Sequence, residues 1–348
     1  MFPFVFVNNI FEGAKIVWFT IGSFFLFVYW IGRLYKKGYY RFIRADFLYF
    51  LWLVVLFTAS LKGPHPIGSI LGGSYRHQGV LFFFALWVVG KTFALLSNSQ
   101  KELFKKGLIV VVGAQALIII FQKIFGATYP RFLLDSAPIG TLGEPNAAAS
   151  FLATGSILLT GSIPLLLIAV ALYFTKSITS QVIFLFVLVS TKLLKKKAVS
   201  LKTVFACFGA LLMLGTYLVL QNRDFSFESR HLIWKLGLES AIEKPLVGFG
   251  AESGEFVYEK IYKKTNLPLH NLIIDRSHNL LIDLLLWSGS VGLLLFTLWL
   301  VDSVKQLVNK KLVINIVGLM ALGIYSFFQP LGVVHWLILM ILIFFELH

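Results

Sequence analysis

The sequence predicts an all-α, polytopic membrane protein with about eleven transmembrane helices and one long extracytoplasmic loop domain that contains an interfacial helix. Hydrophobic residues make up 58% of the 348 positions, and the mean hydropathy is +0.83. Apolar runs recur along the chain at close to the length that crosses about 30 Å of hydrocarbon. These observations together exclude an ordinary soluble domain.

The apolar runs also predict three regions of the chain. An N-terminal bundle of about eight spans covers residues 1–220, the loop domain covers 221–276, and about three further spans cover 277–348. The runs between 147 and 191 are short, so their grouping stays open. The predicted spans are 14–32, 45–61, 80–97, 107–125, 147–161, 163–175, 177–191, 203–220, 277–301, 312–327 and 331–347.

Basic residues indicate the orientation of these spans. Lys and Arg are concentrated in alternate short loops, at residues 33–44, 101–106, 192–202 and 305–311. The positive-inside rule assigns such loops to the cytoplasm. We therefore expect a multi-pass protein of the cytoplasmic (inner) membrane whose N-terminus and long polar segment face outward. The opening segment MFPFVFVNNIFEGAK lacks a basic n-region and a cleavage site, so no cleavable signal peptide is expected.

The net charge of +15 does not indicate a nucleic-acid partner. The long polar segment carries equal numbers of acidic and basic residues, so the excess charge reflects membrane topology. The single cysteine, Cys207, excludes an intrachain disulfide and a cysteine metal site. Histidines and carboxylates show no metal-ligand spacing, so neither a metal nor another cofactor is expected.

Two outer loops supply candidate substrate-binding residues. Arg76 precedes a helix predicted to begin near Gly79, where it either anchors to lipid headgroups or points into a central cavity. The loop ATYPRFLLDSAPIGTLGEPN contributes Arg131 and leads into a helix start at Pro145 and Asn146. Asn146 either faces substrate or belongs to a cap and turn. Lys91, inside the third span, is interpreted as snorkelling to the cytoplasmic surface.

The polar segment contains the arginine that best fits an anion site. Apolar positions from Glu228 to Lys244 follow one face of a helix, which Pro245 ends. This places Arg230 in the first turn, where the helix dipole disfavours a cation by about 0.3–1 kcal/mol. A bound anion would reverse that sign, because free N–H groups and the guanidinium would then act together. Arg230 is therefore a candidate anion ligand.

A histidine follows at the end of the polar segment, in IIDRSHNLLIDLLLWSGSVG. Ser277 is a plausible N-cap, which places His278 and Asn279 on the first turn of the ninth span. A histidine in this position can act as a base near neutral pH. Asp275 and Arg276 lie directly beside it, so the group is a candidate catalytic and binding site.

The order of these motifs resembles that of the O-antigen ligase and polymerase superfamily. The matching features are Arg230 with Trp234, then PLVGFG, then His278-Asn279 and GSVG. Upstream, GSYRHQG and GTLGEPNAAA resemble two further segments of the family. The resemblance covers roughly residues 60–300.

The resemblance implies a GT-C-like, metal-independent glycosyltransferase that moves a glycan from an undecaprenyl-diphosphate carrier to an acceptor hydroxyl at the outer face. The acceptor is a glycan, a lipid or a protein. By this resemblance His278 would be the catalytic base or an acceptor-orienting group, Arg230 a catalytic diphosphate ligand, and Arg76 a second phosphate contact. The further substrate-binding candidates are Asn279, Arg276, Arg131 and Asn146. The family usually has Asn where Glu144 stands, which leaves that position's role open.

The predicted topology favours the same chemistry. Every odd-numbered span begins outside, so positive helix ends would lie near Arg76, Asn146 and His278. Preorganised donors of this kind stabilise a leaving diphosphate.

Three alternatives remain at the level of sequence. A polymerase of the same superfamily would share this architecture. A lipid-linked glycan transporter or flippase would need ionisable groups deep in the bilayer or matching interrupted helices. Lys91 and Asp283 are the charges that lie clearly inside spans, and no internal repeat is evident. A scaffold in cell-envelope assembly is the third alternative.

Overall fold

A computed structural model describes residues 12–37, 42–73, 76–126, 137–159, 161–221, 225–265 and 274–345. These residues form α-helices and one short 3₁₀ turn, and they include no strand, which confirms the all-helical prediction. The helices are α1 (Gly13–Lys37), α2 (Arg44–Leu61), α3 (Pro66–Leu71), α4 (Val80–Ala94), α5 (Asn98–Phe125), α6 (Pro145–Gly155), α7 (Ser162–Thr175), α8 (Ile178–Lys195), α9 (Leu201–Gln221), α10 (Phe225–Ala241), α11 (Gly254–Thr265), α12 (Leu280–Asn309), α13 (Val313–Phe328) and α14 (Val333–Phe344).

Several of these helices are suited to cross a membrane. Six of the described helices are long and apolar enough to do so: α1, α2, α5, α8, α9 and α12. Shorter apolar helices, α4, α7, α13 and α14, accompany them. The chain is therefore a multi-pass membrane protein. The number of spans, the GT-C-like arrangement and the division at residues 220 and 276 stay predictions.

Aromatic packing between α2 and α12 forms the centre of the bundle. The ring of Tyr49 lies 5.0 Å from that of Trp299, and the ring of Trp52 lies 5.0 Å from that of Phe296. Phe83 on α4 packs against Trp52 at 5.1 Å. All five rings are buried, and tilted or edge-on aromatic pairs contribute about 0.5–1.5 kcal/mol each beyond their area. The pairing makes α2 and α12 antiparallel.

One buried ion pair joins α2 to α4. The Nζ atom of Lys91 lies 2.5 Å from Oδ1 of Asp46, and both side chains are fully buried. The indole N–H of Trp87 donates to the same carboxylate at 3.1 Å, and the backbone N–H of Ile43 donates to it at 3.0 Å. The expectation that Lys91 snorkels is therefore wrong, because its charge is compensated inside the bundle.

We expect Lys91→Met to destabilise the protein by about 3–5 kcal/mol, because it leaves the Asp46 carboxylate buried without its cation. Thermal unfolding of the purified protein in detergent measures this loss. Adding Asp46→Asn should restore much of the stability, since the uncompensated charge is then gone. A single variant that unfolds like the wild type would contradict the prediction.

A break in α12 separates its N-terminal part from the rest of the helix. Gly289 has non-helical backbone angles, φ 62° and ψ −169°, and separates Leu280–Ser288 from the longer remainder. The PLVGFG loop, residues 245–250, inserts its backbone into the gap and satisfies polar groups on both sides. The four hydrogen bonds run from Phe249 N to Leu286 O (2.7 Å), Gly250 N to Trp287 O (2.9 Å), Ser290 N to Pro245 O (2.8 Å) and Val291 N to Leu246 O (3.2 Å).

Gly289→Ala should disrupt this arrangement. A Cβ at position 289 would lie 2.2 Å from the backbone carbon of Leu246, and its positive φ disfavours any side chain. We expect loss of folded, monodisperse protein in size-exclusion chromatography. Gly209→Ala is the matched control, because a Cβ on that α9 glycine meets nothing within 4 Å. Equal behaviour of the two variants would contradict the role of Gly289.

Helices α6 and α7 form a short hairpin rather than two full-length spans. Helix α6 begins at Pro145, as predicted, and is followed by the 3₁₀ segment Ser156–Leu158. The chain turns there, and α7 runs back along α6. α7 has 14 residues, and such a helix is about 21 Å long, which is less than the hydrocarbon thickness. Ala147, Ala148 and Ala149 are buried, so this run of small residues packs closely against its neighbours.

Candidate active site

His278 lies in a strained turn directly before α12. Its φ of 57° places it in the left-handed region, which side chains other than glycine seldom adopt. The N-cap of α12 is Asn279, whose side chain accepts from Leu281 N at 3.0 Å and Ile282 N at 3.3 Å. The prediction of Ser277 as N-cap is therefore wrong, and His278 precedes the helix instead of lying on its first turn.

Asp283 holds this turn in place. Its Oδ1 atom accepts from the backbone N–H of Ser277 at 2.8 Å and from the Ser277 hydroxyl at 2.7 Å. Both residues are buried. A buried carboxylate with two such donors makes short, charge-assisted hydrogen bonds. The carboxylate therefore fixes the backbone on which His278 stands.

Two arginines and a carboxylate lie close enough to the His278 imidazole to shift its pKa. Burial, together with the charges of Arg230 and Arg76, lowers the pKa of His278 to about 4, while the Asp275 charge opposes this shift. Buried surroundings disfavour a charged imidazole, and neighbouring cations add to that effect. The structure therefore brings together Arg230, Arg76 and His278, although they come from three different parts of the sequence.

The two ring nitrogens of His278 differ in their surroundings. Nδ1 is buried and has no hydrogen-bond partner. The Gln329 side chain lies beside the imidazole and favours its protonated form. Gln329 is itself buried at the end of α13, where its backbone N–H donates to the Tyr325 carbonyl at 2.8 Å. An Nε2–H donated to Gln329 would leave the Nδ1 lone pair as the proton acceptor.

The pH dependence of activity should reflect this environment. Because the pKa of His278 is lowered to about 4, the neutral imidazole persists well below pH 6.5 and is lost only as the pH falls through about 4. We expect kcat/KM to stay constant from pH 7 to about 5. Bound diphosphate would offset the two arginines, so the pKa seen in kcat should be higher. ¹⁵N-histidine NMR of wild type and His278→Gln checks the assignment; a free-protein pKa near 6.5 would contradict it.

Arg230 lies on α10 and faces the same centre. It is the sixth residue of that helix, in the second turn, so the predicted bounds Glu228–Lys244 and the first-turn dipole argument are wrong. Burial lowers the pKa of Arg230, and the nearby Glu144 carboxylate opposes this. Trp234, one turn further on, packs edge-on against Phe327 at 5.8 Å. The tryptophan therefore attaches α10 to the end of α13.

Arg76 and Asp275 form an ion pair beside His278. The Nε atom of Arg76 donates to Oδ2 of Asp275, and both side chains are mostly buried. Burial lowers the pKa of Arg76, but the charge and hydrogen bond of Asp275, together with the charges of Glu12 and Glu144, raise that pKa overall. Burial would likewise raise the pKa of Asp275, but Arg76 lowers it. Arg76 therefore lies at the site and stays charged.

Glu144 is a second carboxyl group within electrostatic reach of both arginines. Burial raises its pKa, while Arg76 and the neighbouring Asn146 oppose this. Asn146 accepts from the Ser177 hydroxyl at 2.8 Å and donates to Glu144 at 3.4 Å. The loop that leads into α6 therefore contributes Glu144 to the group around His278. Asn146 on α6 donates a hydrogen bond that holds the Glu144 carboxyl group in place.

Arg276 is engaged in the protein interior. Its guanidinium donates to Glu252 at 2.8 Å and to Gln78 at 3.2 Å, and it lies 4.0 Å from the centre of the Trp287 ring. Gln78 also accepts from the Trp336 indole at 3.1 Å. Through these contacts Arg276 connects the polar segment to the start of α4 and to α12. Through Gln78 it is also connected to α14.

The remaining candidate residues have separate positions. Asn279 caps α12, and its amide also donates to the Phe327 carbonyl at 3.3 Å. The cap uses the first N–H groups of α12, which were expected to face an anion. Arg131 lies outside the described residues. Substrate contacts by Asn279, Arg276, Asn146 and Arg131 stay predictions.

Sequence reasoning missed two glutamines at the site. Gln329 lies beside His278, and Gln78 accepts from Arg276 and donates to the Leu331 carbonyl at 3.0 Å. Each glutamine is a polar residue that adjoins an apolar run, in QPLG and in RHQG. That interruption is the local signal that could have drawn attention to them, although their partners lie far away in the chain.

An apolar groove begins next to the turn that carries His278. The groove has a volume of about 310 Å³ and lies between α9, α12 and α13. Leu280 and Leu331, which follow the site residues Asn279 and Gln329 closely in the chain, line it together with Phe296. Lys305, towards the other end of α12, also lines it. The groove therefore runs from the neighbourhood of the site along the membrane-spanning part of α12.

These features define the class of protein: a multi-pass helical membrane protein with a histidine and two arginines gathered at the end of the bundle. Within the described residues, no cluster of three or more His, Cys, Asp or Glu side chains could hold a metal. Residues 163–297 match the O-antigen ligase family model. This segment contains Arg230, the PLVGFG loop, His278 and Gly289, and the match supports the assignment to the O-antigen ligase and polymerase superfamily. No curated protein and no solved structure matches the chain.

Proposed function

We propose that this protein is a metal-independent glycosyltransferase that moves a glycan from an undecaprenyl-diphosphate carrier to an acceptor hydroxyl on the outer face of the cytoplasmic membrane. The observation that carries the proposal is the gathering of Arg230 and Arg76 around His278. The family match over Arg230 and His278 supports an O-antigen ligase-type reaction in surface-polysaccharide assembly.

His278 acts as the base. Nδ1 takes the proton of the acceptor hydroxyl while the hydroxyl oxygen bonds to the anomeric carbon of the donor sugar. The bond from that carbon to the diphosphate oxygen breaks, and its electron pair leaves with the diphosphate. The products are a new glycoside and undecaprenyl diphosphate, and His278 then releases its proton to solvent. An Nε2–H donated to Gln329 holds the tautomer that leaves Nδ1 free to accept.

Arg230 and Arg76 bind the diphosphate and stabilise the charge that it gains as it leaves. Each charge-assisted hydrogen bond is worth about 1.5–3 kcal/mol, so two guanidinium groups supply stabilisation of the kind that a divalent cation gives elsewhere. Bound diphosphate also offsets the positive charges of Arg230 and Arg76, which lower the pKa of His278. Donor binding therefore makes the imidazole a stronger base at the moment it is needed.

The apolar groove takes the polyprenyl tail of the donor. It begins at Leu280, next to the site, and follows α12 at membrane depth. A tail in this groove would leave the diphosphate at the level of His278, since a lipid carrier keeps its phosphates at the membrane surface and its chain in hydrocarbon.

Reconstitution tests this function. Purified protein in liposomes is incubated with lipid-linked oligosaccharide and with candidate lipid, glycan or protein acceptors, and the products are identified by mass spectrometry. We expect glycosylated acceptor together with undecaprenyl diphosphate. Growth of the lipid-linked glycan without another acceptor would identify a polymerase of the same superfamily. Passage of an intact donor across the bilayer without release of the diphosphate would refute transfer and identify a flippase.

A further inference from the structure

A cavity of about 580 Å³ lies at the end of the bundle opposite His278, between α5, α8, α13 and α14. Its volume is within the range of about 300–1,000 Å³ of small-molecule sites. The cavity arises because the α6–α7 hairpin is short. Ile157 and Leu158, at the turn of this hairpin, line one side, together with Leu108 on α5. Leu108 is the eleventh residue of α5, about 15 Å along that helix.

The lining of the cavity combines an apolar interior with three cations. Most lining side chains are apolar, among them Ile157, Leu158 and Phe345. Lys105, Lys195 and Lys311 also line it. They come from α5, α8 and the α12–α13 turn, so three separate elements direct positive charge to one opening. The Lys105 ammonium pairs with Glu102 at 3.0 Å on the exposed surface, which offsets part of this charge.

We propose that this cavity binds one anionic phospholipid, with its acyl chains beneath the α6–α7 hairpin and its phosphate among Lys105, Lys195 and Lys311. An apolar hollow between membrane helices favours hydrocarbon, and basic residues at its opening attract an anionic headgroup. A small polar anion would gain nothing from the apolar interior, and a neutral lipid would gain nothing from the lysines. The inference is independent of the proposed glycosyl transfer.

Two matched triple variants test the site. The first is Lys105→Gln, Lys195→Gln and Lys311→Gln. The control is Lys106→Gln, Lys196→Gln and Lys310→Gln, which removes the same charge from neighbouring positions that do not line the cavity. Each protein is placed in nanodiscs of phosphatidylcholine with increasing phosphatidylglycerol, and retained lipid is counted by native mass spectrometry.

We expect wild type and control to retain one phosphatidylglycerol, and the first triple variant to bind it about tenfold or more weakly. Leu158→Trp fills the cavity while leaving all three lysines, and it should also displace the lipid. Equal weakening in both triple variants would show diffuse attraction and overturn the proposal. Equal retention of phosphatidylcholine by the wild type, or unchanged binding in Leu158→Trp, would do the same.

Discussion

His278→Ala should abolish glycosyl transfer while leaving the protein folded in the membrane. General-base catalysis contributes about 10²–10⁴-fold to the rate. The imidazole of His278 is the base in the proposed mechanism, so its removal takes away this contribution. Asp283 holds the turn through the backbone and hydroxyl of Ser277, independently of the imidazole, so its removal should spare the fold. Rates of product formation in the reconstituted assay measure the effect.

His231→Ala is the matched control for this variant. His231 is exposed on α10, next to Arg230 in the chain, so it shares the neighbourhood in sequence without facing the site. The control should transfer at the wild-type rate. Undiminished transfer by His278→Ala would remove the histidine from the mechanism, even if the family assignment stood.

Arg230→Gln and Arg76→Gln should each reduce kcat/KM for the donor by about 10- to 150-fold, because each loses a charge-assisted contact worth about 1.5–3 kcal/mol. The double variant should lose more than either single variant. Titration of the purified protein with undecaprenyl diphosphate gives a separate measure, since binding of this product needs no chemistry.

Lys235→Gln is the control for the loss of positive charge. Lys235 lies on the same helix as Arg230 and is exposed, with Glu239 at 3.9 Å. Surface pairs of this kind contribute little, so the control should bind and react normally. If it lowered affinity as much as Arg230→Gln, overall charge rather than a local contact would explain the binding. Unchanged affinity in both arginine variants would refute a diphosphate site.

The sequence predicted the helical membrane class, which the structure confirms, and it indicated candidate site residues for a clear physical reason. Charged and titratable residues are rare in this largely apolar chain, and its long polar segment holds many of them. This made Arg230 and His278 candidates for the site. Local signals misplaced the details. Ser277 and Asn279 both have the side chains of an N-cap, and only the geometry decides that Asn279 takes this place.

Long-range contacts were beyond what the sequence could supply. Gln329 reaches His278 across 51 positions, and Arg276 reaches Gln78 across 198. Periodicity and capping describe neighbours along one helix, so neither predicts such pairs. The buried partner of Lys91 was missed for the same reason, because Asp46 belongs to a different helix.

The insertion of the PLVGFG loop into α12 also constrains how the protein is assembled. Residues 245–250 are made before α12, and their backbone supplies the groups that the break at Gly289 requires. Without the loop, these N–H and C=O groups would be left unsatisfied near hydrocarbon, at a cost of several kcal/mol each. Biogenesis should therefore be coupled: the loop and α12 must dock on each other together, so slow docking of the loop would expose the nascent helix to quality-control proteolysis.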